Sequence, residues 1–182
     1  SSQLERPRPL GKLQVTRWFL RRAEEVVRLH AAYAERLGRP STELALARGD
    51  ARRDLGRLVR PRSVSLVLTS PPYLGVYDYA AHHESRCAWL ELPLAETLRG
   101  ELGARRHAEA TPLSQLLPEH QRDCEAWLSS VAQALAPGGR ALVLVGDSMV
   151  QGVRVPGDEP VLAGAAAAGL RCLASCAVAR PS

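Results

Sequence analysis

The stretch that decides the fold is VSLVLTSPPYLGVYDY, which runs from Val64 to Tyr79. Its first five residues are mostly Val and Leu, a composition that is typical of a buried strand. The residues Thr69-Ser70-Pro71-Pro72-Tyr73 follow at once. Each proline fixes φ and removes an N–H donor, and the residue before each proline is held extended. The sequence therefore predicts a strand that ends in a stiff arm with an aromatic ring behind it.

This arm offers hydrogen-bond acceptors without competing donors. The Ser70 hydroxyl and the Pro71 carbonyl can both accept a hydrogen bond from a planar amino group. The Tyr73 ring offers a face on which a flat group can stack. Two acceptors beside a stacking ring suit the exocyclic amine of a heterocycle, and we expect such a group to bind where the strand ends.

Length and composition suit one domain with an aliphatic core, because the chain has 182 residues, 46% hydrophobic and only 4% aromatic. No apolar run is long enough to span a membrane, and no secretion signal opens the chain. The four cysteines, at positions 87, 124, 172 and 176, form no CxxC pair. We therefore expect reduced thiols, no metal site and no membrane partner.

Positive charge is concentrated in the first third of the chain. Through Arg62 there are 15 Lys and Arg against 7 Asp and Glu, a balance of +8, whereas the remainder has 9 against 12, a balance of −3. Nearly every cation is Arg, whose planar group suits contacts with phosphate. Contact with nucleic acid and a solvated helix face both remain open interpretations of this charge.

Apolar spacing predicts helices over about 15–37, 80–90, 119–135 and 158–168, with one or two helical turns over 51–58. Short apolar runs predict strands at 44–47, 64–68, 140–145 and 170–178. Residues 91–118 are rich in Pro and Gly and are expected to form an irregular insert. The Pro137-Gly138-Gly139 sequence is expected to be a tight turn between a helix and a strand.

Alternating helices and strands predict an α/β fold with a mostly parallel sheet and helices on both faces. We divide the chain into a basic lead-in and long helix, 1–43, and a sheet domain, 44–182. Ligands of such sheets bind beyond the carboxyl ends of the strands. Three loops are expected to converge there: Gly49-Asp50, Thr69–Tyr73 and Gly146-Asp147-Ser148.

Thr-Ser-Pro-Pro-Tyr after an apolar strand resembles the catalytic motif of the S-adenosylmethionine-dependent DNA amino-methyltransferases, which modify cytosine N4 or adenine N6. Further similar segments are Tyr77-Asp78-Tyr79, His82-His83, Arg86, Trp89-Leu90, Pro137-Gly138-Gly139 and Gly146-Asp147-Ser148. The likeness covers roughly residues 44–175. It implies a Rossmann-like class I methyltransferase sheet, S-adenosyl-L-methionine as cofactor, double-stranded DNA as partner with the target base flipped out, and the bacterial cytoplasm as location.

The resemblance also implies roles for the residues of the motif. Ser70 and the Pro71 carbonyl would accept hydrogen bonds from the target amine, and Pro72 completes the rigid arm. Tyr73 would stack on the base. A serine at the position of Ser70 favours cytosine N4 over adenine N6 in this family.

The resemblance also implies roles for residues outside the motif. Gly49, Asp50 and Thr69 are expected on the cofactor side, with Asp50 contacting the adenine amino group or capping the helical turn that follows it. Substrate contacts are expected from Tyr77, Asp78 and His82, besides Tyr73. Asp147 belongs either to a cofactor-side loop or to a turn.

One feature of the family is missing, because the sequence contains no Gly-x-Gly loop to wrap the methionine part of the cofactor. We interpret the chain as a fragment that lacks this N-terminal loop, which would leave the sheet incomplete on that side. A degenerate copy that no longer binds the cofactor is the alternative.

Two other functions are open. One is methylation of an RNA base or of protein glutamine, and the other is an inactive methyltransferase-like fold that binds nucleic acid. The sequence does not decide whether a restriction nuclease is a partner, whether the chain forms oligomers, or whether 91–118 recognises the target sequence.

Overall fold

A computed structural model describes residues 11–38 and 44–178. The elements are, in chain order, α1 (Lys12–Leu37), α2 (Leu55–Leu58), β1 (Val64–Thr69), α3 (Tyr79–Trp89), α4 (Ala95–Gly100), α5 (Arg105–Ala110), α6 (Leu113–Ala134), β2 (Leu135–Val143), β3 (Ser148–Val150), β4 (Val153–Val155) and α7 (Asp158–Ala167). The chain divides into two compact units, 1–46 and 47–182. Most of the predicted lead-in lies outside the described residues.

The first unit contains the long helix α1, which the apolar spacing predicted and which begins three residues earlier than expected. Gly38, with φ of +70°, follows its last residue and suits a helix end because glycine tolerates this conformation. The apolar side chains Phe19, Val27 and Tyr33 are largely exposed. None of the helices in the described residues is both long and apolar enough to cross a membrane.

The second unit is built around a parallel pair of strands, which confirms the α/β class. Strand β1 pairs with β2 so that Leu66 lies opposite Arg140 and Thr69 opposite Val143. The register shifts between Val64 and Leu66. The shift leaves Pro137-Gly138-Gly139 as extra residues of β2, where Gly138 has φ of +78° and Gly139 lies close to the Ala136 carbonyl, so the predicted turn is present but lies within the strand.

Helices α6 and α7 pack against one face of this pair. The buried side chains of the main core are Cys124, Trp127, Leu128, Val131 and Leu135. Val67 and Val143 contact this core from the sheet. Gly164 of α7 lets the two helices approach closely, because a Cβ there would lie 2.8 Å from Leu128 Cδ1.

The opposite face of the pair is exposed in the structure. Leu66, Leu68, Leu142 and Leu144 are 62%, 72%, 62% and 65% exposed. The structure thus shows helices on one face of the sheet, where the sequence predicted helices on both. The four leucines are called the leucine face below.

The predicted strands at 44–47 and 170–178 do not form, since neither segment is assigned to a strand. Leu44 and Leu46 are more exposed than any residue of the leucine face. An apolar run favours a strand, but a strand forms only where a neighbouring strand can bond its backbone. In the described residues these two segments have no such neighbour. The parallel sheet therefore has two strands in the part of the chain that the structure describes.

Residues 91–118 are more regular than predicted, because they contain α4, α5 and the start of α6. Helix α6 continues through Pro118, whereas the sequence predicted a helix that begins only after this residue. Leu116 is buried with Leu74, Ala108 and Val150 in a second core cluster, and this burial stabilises the first turns of the helix.

A short hairpin after β2 was missed. Strands β3 and β4 are antiparallel and joined by Gln151-Gly152, both with positive φ, as a two-residue hairpin turn requires.

Candidate functional site

The Ser-Pro-Pro-Tyr arm lies at the carboxyl end of the parallel pair. Thr69 is the last residue of β1, and its carbonyl accepts a hydrogen bond from Leu144 N at 3.0 Å. Ser70 is exposed, while Pro71, Pro72 and Tyr73 are half-buried. The arm therefore leaves the sheet at the edge where ligands of parallel sheets bind, with the serine hydroxyl open to solvent.

Two of the three predicted loops meet at this edge. Ser70 Oγ and Tyr73 Oη lie 3.2 Å apart and share a hydrogen bond. The Tyr73 ring lies against Gly146, where a Cβ would be 3.2 Å from Tyr73 Cε2. A Cβ on Gly157 would in turn overlap the Gly146 carbonyl oxygen. The Tyr73 hydroxyl thus bonds Ser70, and one edge of the ring packs against the Gly146 backbone, where the absence of a side chain allows this close contact.

Hydrogen bonds of the Asp147 side chain fix the loop at Gly146. Its carboxylate accepts hydrogen bonds from Arg154 Nη2 at 2.5 Å and from the Gly157 amide at 3.1 Å. Arg154 and this amide hold the pKa of Asp147 below its usual range. These bonds fit the turn role that the sequence left open for Asp147, and they fix the backbone against which Tyr73 packs.

The third predicted loop, Gly49-Asp50, is organised by an arginine that the sequence analysis did not single out. The Asp50 carboxylate accepts from Arg52 Nε at 3.0 Å and from Arg52 Nη2 at 2.8 Å. Arg52 Nη1 donates to Asp123 of α6 at 2.7 Å. Arg52 lowers the pKa of Asp50, while these two carboxylates raise the pKa of Arg52.

Asp50 also begins the turn that follows it, because its carbonyl accepts from the amides of Arg53 and Asp54. Its Oδ1 accepts from the Arg52 amide at 3.0 Å. Gly49 packs against the Asp54 side chain, where a Cβ would lie 3.0 Å from Asp54 Cβ. Asp50 therefore stabilises the turn that follows it, whereas α2 begins only after Asp54, which is the residue at its N-cap. The role of Asp50 toward a cofactor stays a prediction.

A small cavity of about 20 Å³ adjoins the arm. Its lining includes Pro71, Pro72, Tyr73, His120 and Trp127. This volume suits about one water molecule and is too small for a nucleobase.

His120 is the one imidazole in the lining of this cavity. Its Nδ1 is buried without a hydrogen-bond partner in the described part of the chain. Burial lowers the pKa of His120 below its usual value, so the ring is neutral near pH 7.

The predicted substrate residues after the motif fall into two groups. The Tyr77 ring stacks on Tyr79 at 5.4 Å between centroids and lies 5.7 Å from the His82 ring. Asp78 instead caps α3 by accepting from the Ala81 amide at 3.3 Å, and its carboxylate is paired with Arg106. The exposed rings of Tyr77 and His82 thus lie close together, whereas the Asp78 carboxylate is bonded to the Ala81 amide and to Arg106.

Glu101 and Arg106 were missed because they lie in the segment that was expected to be irregular. Glu101 accepts hydrogen bonds from the Tyr79 and Ala80 amides, and Arg106 binds Glu101 at 2.8 Å. The run Glu101-Leu102-Gly103-Ala104-Arg105-Arg106 carries charges around a glycine, which is a weak signal for a structured turn. The contacts of Glu101 with the two amides span more than 20 residues of sequence, so no local pattern predicts them.

All four cysteines are free. Within residues 11–38 and 44–178, no group of three or more His, Cys, Asp or Glu side chains is arranged to hold a metal ion.

Comparison with known proteins gave no match: no family model fits the chain, and neither a curated protein nor a solved structure is significantly similar to it.

Proposed function

We propose that the chain is part of an S-adenosylmethionine-dependent methyltransferase that modifies an exocyclic amino group of a DNA base, with a preference for cytosine N4. One observation carries the proposal. The exposed Ser70 hydroxyl leaves the carboxyl end of a parallel strand on a rigid proline arm, beside a Tyr73 ring that Gly146 holds in place. The motif's resemblance to the DNA amino-methyltransferases supplies the reaction class.

The residues of the arm have separate tasks in this proposal. Ser70 Oγ and the Pro71 carbonyl accept hydrogen bonds from the amine, which draw the nitrogen lone pair out of conjugation with the ring. Tyr73 stacks on the extruded base. Because the prolines leave the arm few conformations to lose, holding the amine in line with its reaction partner costs little ordering entropy.

Bound S-adenosylmethionine would supply an electrophilic methyl group at this position. The amine becomes acidic only once its nitrogen carries the fourth bond, so the site needs no strong base. This agrees with the engagement of the Asp78 carboxylate by Arg106. The proton passes to solvent at the open side of Ser70.

The residues of the chain fit the amine end of this reaction better than the cofactor end. No Gly-x-Gly loop is present, and the carboxylate of Asp50 is already bonded by Arg52. The proposal therefore requires a glycine-rich loop and a larger Rossmann-like sheet from outside these 182 residues. The leucine face supports this requirement, because buried parallel strands are covered on both sides.

We accordingly expect this chain alone to bind S-adenosylmethionine weakly or not at all. Isothermal titration calorimetry of the 182-residue chain measures this directly. Binding in the micromolar range would contradict the assignment of the cofactor site to residues outside the chain.

The function is tested on a protein that contains this chain together with its cofactor loop. The protein is incubated with tritiated S-adenosylmethionine and with matched DNA and RNA, and the labelled base is identified. We expect label on DNA cytosine. Ser70→Ala should lower kcat by about 10²-fold or more, because a placed hydrogen-bond acceptor is lost.

Tyr73→Phe is the matched control for Ser70→Ala. It removes the same Ser70–Tyr73 hydrogen bond but keeps both the serine oxygen and the stacking ring. Its kcat should stay within about tenfold of the original value, since the amine acceptor remains in place. Equal losses in the two variants would contradict the role given to Ser70. Label on RNA alone would favour the RNA-amine alternative, and nucleic-acid binding without any label would favour the inactive fold.

A further inference from the structure

A buried carboxylate holds the start of the helix that follows the motif. The Glu101 side chain is only 5% exposed. It accepts hydrogen bonds from the Tyr79 amide at 2.5 Å and from the Ala80 amide at 3.3 Å. These are the first two amides of α3, which have no partner within the helix. A negative charge at this end of a helix is also favoured by the helix dipole.

One guanidinium joins this carboxylate to the residue before the helix. Arg106 Nη1 lies 2.8 Å from Glu101 Oε2 and also pairs with Asp78. Arg106 Nη2 donates to the Leu98 carbonyl at 2.6 Å. The side chains of Asp78 and Arg106 are 17% and 34% exposed, so a single cation separates two largely buried carboxylates.

The backbone of the same segment contacts the loop after the arm. The Gly75 amide donates to the Gly103 carbonyl at 2.9 Å, and the Arg105 amide donates to the Tyr77 carbonyl at 3.0 Å. Gly103 has φ of +62°, and a Cβ there would lie 3.3 Å from the Tyr73 carbonyl oxygen. The segment therefore touches the backbone of the stacking residue itself.

We propose that Glu101–Arg106 is a clamp that holds the loop 73–79 in the conformation that presents Tyr73 to the base, with Glu101 and Arg106 as positioning residues for methyl transfer. The clamp deepens the proposed function and rests on it. Neither side chain touches the amine. Both act through the backbone of the loop, which joins the arm to α3.

The clamp is tested with Arg106→Met and Glu101→Gln, and with Arg105→Met as the matched control. Arg105 is the neighbouring cation, but its side chain is 62% exposed, and its ion pair within the described residues is with Glu109, one helical turn away. Arg106→Lys, which keeps the charge, is the conservative variant. Each is made in the protein used for the methyl-transfer assay.

The first measurement is hydrogen exchange at the Tyr79 and Ala80 amides. Arg106→Met leaves two largely buried carboxylates without a cation, so both amides should exchange at least about tenfold faster than in the original protein. The Arg105→Met variant should show unchanged exchange at both amides. Adding Asp78→Asn to Arg106→Met should restore part of the protection, because it removes the repulsion between the two carboxylates. Loss of packing around the arginine stem would not be restored in this way.

The second measurement separates kcat from KM. Arg106→Met and Glu101→Gln should lower kcat about tenfold or more while KM for DNA changes little, because a displaced ring affects the geometry of transfer. Arg106→Lys should recover part of kcat. Unchanged exchange in Arg106→Met would show that the clamp does not exist. Faster exchange with unchanged kcat would overturn the positioning role.

Failure of the proposed function gives a different pattern. The unaltered protein would then transfer no methyl group, while hydrogen exchange in the variants would still report whether Glu101 and Arg106 hold the loop. Protection lost in Arg106→Met would in that case leave the clamp as a structural device and remove its catalytic purpose.

Discussion

Replacing Arg52 with Met should destabilise the unit 47–182 by about 1–2 kcal/mol. Arg52 joins the turn at Asp50 to helix α6 through Asp123, and it makes charge-assisted hydrogen bonds to both carboxylates at 2.7–3.0 Å. Met keeps much of the aliphatic stem and removes these donors. Asp50 is the residue expected on the cofactor side, and the same substitution removes the side-chain hydrogen bonds that hold its carboxylate.

The magnitude follows from the exposure of the three side chains. Arg52, Asp50 and Asp123 are 26%, 18% and 33% exposed. Fully buried pairs lose about 3–5 kcal/mol when one partner is removed, whereas exposed pairs contribute about 0–1 kcal/mol. Solvent screens this partly exposed network, so the expected loss lies between the two ranges.

The loss should depend on pH with a defined sign. Arg52 lowers the pKa of Asp50 in the folded state, so this interaction stabilises the fold above the unfolded pKa of Asp. The stabilisation disappears as the pH falls through the folded pKa. The difference between the original protein and Arg52→Met should therefore be largest near neutrality and should shrink below about pH 4.

Urea unfolding followed by circular dichroism at several pH values measures this difference. Arg53→Met is the control, because the Arg53 side chain is 76% exposed and its Nε lies 3.8 Å from the Asp50 carboxylate, beyond hydrogen-bond distance. Its unfolding free energy should stay within about 0.5 kcal/mol of the original. The reasoning is refuted if both variants lose the same stability, or if the loss in Arg52→Met is as large at pH 3 as at pH 7.

Two further substitutions test the packing of the site and of the core. Gly146→Ala should place a methyl group 3.2 Å from Tyr73 Cε2 and displace the ring. We expect kcat for methyl transfer to fall about tenfold, while the unfolding free energy in urea falls by no more than about 1–3 kcal/mol. A kcat equal to that of the original protein would show that the ring position does not matter. Leu128→Ala empties a site that is 1% exposed and should cost about 2–5 kcal/mol in the same unfolding assay, so a loss below about 1 kcal/mol would contradict the core described above.

Local sequence patterns predicted the elements whose determinants are local. The apolar spacing of α1 and α6 and the Val-Leu run of β1 each place their residues in the right kind of element. The double proline fixes its own backbone, so the arm at Ser70 could be placed at a strand end from sequence alone. Gly146 could be assigned to the facing loop because it follows the next strand of the parallel pair, and parallel strands end at the same edge of a sheet.

The networks around the site could not be predicted, because their partners are distant in the sequence. Arg52 binds Asp123 across 71 residues, and Glu101 binds the Tyr79 amide across 22. Charged residues of this kind are equally compatible with a solvated surface. The prolines of 91–118 predicted irregular structure, but α6 already begins at Leu113 and continues through Pro118. The burial of Leu116 stabilises this part of the helix, and burial depends on the tertiary structure.

The composition of strand β1 is that of a strand covered on both faces. Leu66, Val67 and Leu68 alternate between the two faces of β1, so the strand carries apolar side chains on both, as a central strand of a covered parallel sheet does. The described elements bury Val67 against α6 and leave the two leucines in solvent. The two leucines of this strand therefore lack apolar cover in the described residues. Under the proposed function, the motif would also require a glycine-rich cofactor loop. A larger Rossmann-like sheet would supply both, and this is why the proposed enzyme would need more chain than these 182 residues.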